Sequence, residues 1–242
     1  MRRFAFIIAV LGLAATITPS PRRLVAQSQA LSQGPHRMEI VLEKKDGDAA
    51  RTVDPGLVFQ QDDRIRFRVR TNFDGYLYVM NHSTSGRYTL LFPGEDTGKQ
   101  NRIEAGRDYL VPATEGWFRI AGPPGHEIVY WLASPVELQS EPNGTKPAYV
   151  PLPPPPKPGK VPPGLTPRCD DTILRARGDC VDTSAGAKPV RDKDRLPENM
   201  AKGGAGLTPR DLVFMRQQKA TVVASPAALK GPVVFEFRLA HK

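Results

Sequence analysis

Arg64-Ile65-Arg66-Phe67-Arg68-Val69-Arg70 alternates charge and hydrocarbon at every step. In a strand, successive side chains project to opposite faces, whereas the 3.6-residue period of a helix would scatter both sets around its axis. The segment therefore reads as a strand that buries Ile65, Phe67 and Val69 and shows four guanidinium groups to water. Once that strand is fixed, its neighbours fall into the same period. Met38 to Lys44 alternates in the same way, and Gly75 to Met80 is a more apolar strand suited to the middle of a sheet. Further strands are expected at Arg87–Phe92, Asp108–Val111, Gly116–Ile120 and Glu127–Ala133. Turn residues separate them: Ser85-Gly86, Pro93-Gly94, Ala105-Gly106 and Gly122 to Gly125. Asp74-Gly75, flanked by strand residues, is a strong local signal for a hairpin.

Short strands at this spacing with no helical period predict an all-β chain, an antiparallel β-sandwich that is immunoglobulin-like or else a partly open barrel. After Ser134-Pro135 the composition changes. Lys146 to Arg168 (KPAYVPLPPPPKPGKVPPGLTPR) has too few backbone donors to join a sheet and favours extended polyproline II. Its 23 residues would span roughly 70 Å at about 3.1 Å each. Residues 181–206 are polar and glycine-rich. Strand-like sequence returns at Leu212–Met215, Thr221–Ala224 and Pro232–Leu239, the last placing Val233, Phe235, Phe237 and Leu239 on one side. Two or three strands alone are marginal, so they are expected to dock on the sandwich. The resulting plan is a signal peptide at 1–30, a sandwich at 31–139, a linker at 140–206 and docking strands at 207–242.

The leader is read from its order of parts. Arg2 and Arg3 precede an uncharged apolar run from Phe4 to Thr18, broken by Pro19 and Pro21, with small residues suited to cleavage after Ala26 or Ala30. Fifteen residues fall short of the roughly 20 that a spanning helix needs. Arg22 and Arg23 leave an uncleaved anchor as the alternative; otherwise membrane contact is limited to the signal. Removing residues 1–30 deletes four arginines and lowers the formal charge from +9 to +5. Residues 31–150 carry 14 basic and 16 acidic side chains, so the positive excess lies in the tail. A nucleic-acid binder concentrates basic charge on its folded face, and this distribution argues against one.

Export also sets the expectation for Cys169 and Cys180, the two cysteines of the chain. Eleven residues apart in an oxidising compartment, they are read as a local disulfide that pins the linker. The tripeptide Arg177-Gly178-Asp179 within that loop is read as a turn. The histidines at 36, 82, 126 and 241 have no metal-ligand spacing, and Asp62-Asp63 and Asp170-Asp171 start no calcium loop, so neither metal nor cofactor is expected. No nucleophile elbow, P-loop or dinucleotide fingerprint is present. Two surfaces remain as candidate ligand sites. Arg64, Arg66, Arg68 and Arg70 can grip an anionic polymer bidentately or pair with cross-strand carboxylates. Tyr76 and Tyr78, with Trp117, Tyr130 and Trp131, form a carbohydrate-stacking platform or fill the core.

Several motifs occur in a recognisable order: Phe59-x-x-Asp62-Asp63-Arg64-Ile-Arg-Phe, Asp74-Gly75-Tyr76-Leu77-Tyr78-Val79, Leu91-Phe92-Pro93, Asn101-x-Ile103-x-Ala105-Gly106 and Pro123-x-Gly125-x-Glu127. Over about residues 55–135 the chain resembles the bacterial extracytoplasmic family known as domain of unknown function 4384. One departure is that Asp62 stands where that family usually has glycine. The resemblance implies an exported accessory domain of the kind found beside peptidase or kinase modules, and it transfers no catalytic residue. The function expected is a secreted, non-enzymatic binding or accessory module of the cell envelope, in the periplasm or outside the cell, acting on an envelope polymer or a protein partner. The alternatives are a structural or adhesion component and a hydrolase with a dispersed site.

Overall fold

The period-two segments are strands in the computed structural model, which describes residues 35–94, 101–113, 116–135, 167–169, 180–190, 212–217 and 219–242. In chain order the strands are β1 (Arg37–Asp46), β2 (Ala49–Val53), β3 (Arg64–Thr71), β4 (Gly75–His82), β5 (Tyr88–Phe92), β6 (Arg102–Ile103) and β7 (Asp108–Val111). They continue as β8 (Phe118–Arg119), β9 (Gly125–Ser134), β10 (Gly186–Lys188), β11 (Val213–Gln217), β12 (Ala220–Ala224) and β13 (Val233–His241). One sheet runs β11-β12-β1-β3-β7, with β2 beside the second half of β1 and β8 beside the start of β3. The other runs β10-β13-β9-β4-β5, with β6 beside the start of β4. Every pairing between these strands is antiparallel, and the sheets do not close on one another, so the fold is a β-sandwich and not a barrel.

Alternation decides what lies between the sheets. Ile65, Phe67 and Val69 of β3 point inward with Ile40 and Leu42 of β1, and meet Leu77 and Val79 of β4 and Val129 and Trp131 of β9. On β13 the inward set is Val233, Phe235, Phe237 and Leu239, as its sequence predicts. Phe67 meets Trp131 edge-on at 5.3 Å, and Trp131 stacks on Phe235 at 5.9 Å. Each of these buried aliphatic or aromatic side chains contributes about 1.5–3 kcal/mol relative to exposure.

Two expectations are corrected. Asp74-Gly75 does not turn a hairpin: β3 belongs to the first sheet and β4 to the second, so the chain arches across the core between them. The physical reason lies in what the two residues contact. The Asp74 Oδ1 accepts the Ala105 amide at 2.7 Å, Gly75 pairs with Ile103, and the Leu77 amide donates to the Asn101 carbonyl at 2.8 Å. The Gly106 amide closes the arch on the Thr71 carbonyl at 2.8 Å. Long-range partners thus override a local turn signal. By contrast Ser85-Gly86 does turn a hairpin, with Gly86 at φ 80° and β4 paired to β5.

The second correction concerns 140–206, read throughout as linker. Within it, Val181 is buried and pairs with Leu57, and Gly186–Lys188 forms β10 along the free side of β13. Three residues of Gly-Ala-Lys carry almost no strand propensity of their own, and the exposed backbone edge of β13 supplies the order. The leader at 1–30, most of the proline-dense stretch, Arg177-Gly178-Asp179 and Asp170-Asp171 lie outside the described residues.

Candidate functional site

The outer face of the first sheet carries the arginine stripe. Glu43 of β1 stands opposite Arg66 and reaches two guanidiniums, accepting from Arg66 Nε at 2.8 Å and from Arg68 Nε at 3.1 Å. Asp108 of β7 stands opposite Arg70 and accepts from its Nε at 2.7 Å and from its second nitrogen at 2.9 Å. That hydrogen bond and charge hold the Arg70 pKa above its ordinary value. Three of the four arginines are therefore neutralised across strands. Arg66 also lies over the Trp117 ring, 4.4 Å from its centroid, a cation–π contact that fixes the side chain in place.

Arg64 differs. Its register partner on β8 is Arg119, and both are exposed. Arg119 donates to Asp62 Oδ1 at 3.0 Å, whereas Arg64 makes no carboxylate contact among the described residues. Like charges directly opposite on a sheet are destabilising. Beside them Lys45, Asp62, Asp63 and Arg64 line a shallow depression. Its acids are taken up by cations of the chain, since Asp63 accepts Lys44 Nζ at 2.7 Å and the Gln60 amide at 2.9 Å. Asp62-Asp63 is thus a turn bound by basic groups rather than a cation site.

That turn also accounts for the departure from the family pattern. Asp62 has φ 68°, the left-handed region, and is the one non-glycine residue there among those described. Aspartate is one of the few residues that visits this region. The backbone of 62 and 63 then bonds reciprocally to Ile120, at 3.0 and 2.9 Å.

The aromatic residues are not one platform. Trp131 is inside the core, Trp117 lies under Arg66 on the first sheet, and Tyr76, Tyr78 and Tyr130 face outward from the second sheet. On that outer face Tyr78 pairs with Leu132 and Met80 with Tyr130, while His82 stacks on Tyr88 at 4.1 Å. Glu236 and Arg238 of β13 extend the face as an ion pair at 2.7 Å.

Sequence spacing gave no warning of a further group. His126, Asp182 and Ser184 converge at the N-terminal end of β9. Asp182 Oδ2 is 3.1 Å from His126 Nε2, and Ser184 Oγ is 3.4 Å from the same nitrogen. A nucleophilic triad needs the acid and the hydroxyl on opposite ring nitrogens, so that one orients the base and the other loses its proton to it. Sharing one nitrogen does not allow this relay. Asp182 instead accepts the Ser184 amide at 2.7 Å and the Arg168 amide at 3.2 Å, and its own amide donates to the Gly56 carbonyl at 2.8 Å. Burial opposes ionisation of Asp182, but hydrogen bonds from Ser184 and Arg168 and the nearby His126 outweigh it and hold the pKa below its ordinary value. These contacts pin the chain on either side of the Cys169–Cys180 disulfide, which is formed, against the sandwich.

Glu127, one residue on and facing inward, is the acid of the Pro123-x-Gly125-x-Glu127 motif. It accepts Asn81 Nδ2 at 2.7 Å and the Thr84 amide at 3.2 Å, and lies 3.5 Å from His241 Nε2. All four residues are buried. The motif is therefore a structural tie between β9, the end of β4 and the C-terminal strand.

These features define a disulfide-containing all-β sandwich whose motif residues serve its architecture. Residues 58–137 match the model of a domain of unknown function, DUF4384, and the chain thus carries a DUF4384-like domain that runs from just before β3 to just after β9. No curated protein and no solved structure matches the chain.

Proposed function

We propose that this chain is an exported, non-enzymatic accessory module that binds an anionic component of the bacterial cell envelope through the Arg64–Arg119 corner of its first sheet. The observation that carries the reading is the direct pairing of two exposed arginines, with Arg64 lacking a carboxylate partner among the described residues. An arrangement that costs stability is retained most readily where an incoming anion offsets it. Guanidinium forks suit phosphate and uronate oxygens. The disulfide supports a site of action outside the reducing cytoplasm.

The test is binding of the chain from residue 31 to polyphosphate and polygalacturonate, and to isolated envelope fractions. The R64Q/R119Q variant is expected to lose at least tenfold in affinity, while R70Q, whose charge is already met by Asp108, changes little. Equal binding by a folded R64Q/R119Q variant removes the anion reading.

A further inference from the structure

The positive charge at the corner of the first sheet is wider than the Arg64–Arg119 pair. On β1, Glu43 faces outward opposite Arg66, so Lys45, two residues on, projects from the same face. The pairing of Lys44 with Ile65 sets Lys45 beside Arg64, and both line the shallow depression. β8 continues the row on the far side, where Arg119 stands opposite Arg64. Lys45, Arg64 and Arg119 thus form one rung across three strands, roughly 10 Å from first to last at about 4.8 Å per strand.

The acids around this rung do not discharge it. Lys45 pairs with Ala50 of β2, a neighbour without charge. Asp63 is held by Lys44 at 2.7 Å, and Asp62 is taken by the Arg119 end at 3.0 Å. That second pair is exposed, and an exposed pair is weak and yields to a competing anion. The next rung along the strands is different: Thr52, Glu43 and Arg66 lie side by side, and Glu43 binds both Arg66 and Arg68. The unmatched positive charge is therefore one rung deep and three strands wide.

Given the anion reading, on which this inference rests, we propose that Lys45 is the third cation of the site and that the ligand is a linear polyanion laid across β1, β3 and β8. An anionic group of the chain meets each of the three side chains in turn. A polymer running along β3 would leave the row after one contact and meet Glu43. A single phosphate or uronate gains only part of the row, whereas a polymer gains all three contacts on one molecule, the later ones at high effective concentration. The two guanidiniums grip oxyanions through paired N–H groups, and the lysine ammonium adds a point charge that suits phosphate and carboxylate alike.

The experiment titrates the disulfide-bonded protein with long-chain polyphosphate and polygalacturonate, and with orthophosphate and galacturonate as their single units. One polymer is expected to bind at least a hundredfold more tightly than its unit. K45Q is expected to lower affinity for that polymer at least fivefold. It should also flatten the slope of log affinity against log salt by about one unit, as one cation is withdrawn from the polymer. K230Q removes the same charge from the loop after β12, at the opposite end of β1, and should leave both values at the parent's. K45Q indistinguishable from K230Q, or a single unit bound as tightly as its polymer, overturns the proposal even where R64Q/R119Q abolishes binding. Binding of neither polymer by the parent removes the anion reading and this proposal together.

Discussion

Gly75 lies so close to Ser134 that a Cβ placed on it would stand 2.3 Å from the Ser134 carbonyl oxygen. Its φ is not in the left-handed region, so the residue is there for proximity and not for a turn. Gly75→Ala must push β4 away from β9 where the chain arches between the sheets. The expected loss is about 1–3 kcal/mol, the usual range for overpacking, read as a lowered urea midpoint with an unchanged slope. An unchanged midpoint would show that the arch yields.

Asp62 offers the opposite experiment. A non-glycine residue at φ 68° is strained by roughly 1 kcal/mol, and replacing it with glycine removes that strain while giving up one exposed ion pair to Arg119. Asp62→Gly is expected to raise stability by about 0.5–1 kcal/mol, less the added flexibility of the unfolded chain. Asp62→Val, branched at Cβ, should lower it. Thermal unfolding of the two variants side by side gives the sign.

Glu127 accepts from two buried partners, and its removal leaves Asn81 and Thr84 without their shared acceptor and takes away the carboxylate 3.5 Å from His241 Nε2. Glu127→Ala should cost about 3–5 kcal/mol, the range for breaking a buried charged network from one side. Glu127→Gln keeps an acceptor oxygen for Asn81 and should cost less. Denaturant titration that ranks the two equally would remove the network from the account.

Asp182 supplies a pH dependence with a defined sign. Its folded pKa is depressed below the ordinary 3.8, so its contribution is present above that value and disappears as the pH falls through the lower folded pKa. Unfolding free energy measured from pH 5 to pH 2 should fall in the acid part of that window. Asp182→Asn should remove this component and be less stable at pH 7 by about 1–3 kcal/mol, the worth of hydrogen bonds to a charged group. A variant with the parent's acid slope would place the titration elsewhere.

Most strands were legible because alternation survives whatever the topology: Ile65, Phe67 and Val69 face inward whichever strand lies beside them. Sheet membership was not legible. Asp74-Gly75 carries a hairpin signal, yet its fate is decided by Asn101–Gly106, some 30 residues away, which bonds to it across the arch. β10 was missed because its order comes from the edge of β13 and not from its own residues. At the site, the sequence showed four equivalent arginines, while Glu43 and Asp108 separate Arg64 from the other three. The meeting of His126 with Asp182 and Ser184 spans 56 and 58 positions, and no local pattern encodes it.

The place of the last strand has a consequence for biogenesis. β13 lies between β9 and β10 in the second sheet, β12 lies beside β1 in the first, and His241 of β13 is fully buried opposite Gly125. Neither sheet has all its native neighbours until residues 220–241 have joined it. Both sheets are therefore completed by pairings of high sequence separation, β1 with β12 and β9 with β13, which close late and slow the folding of the whole sandwich.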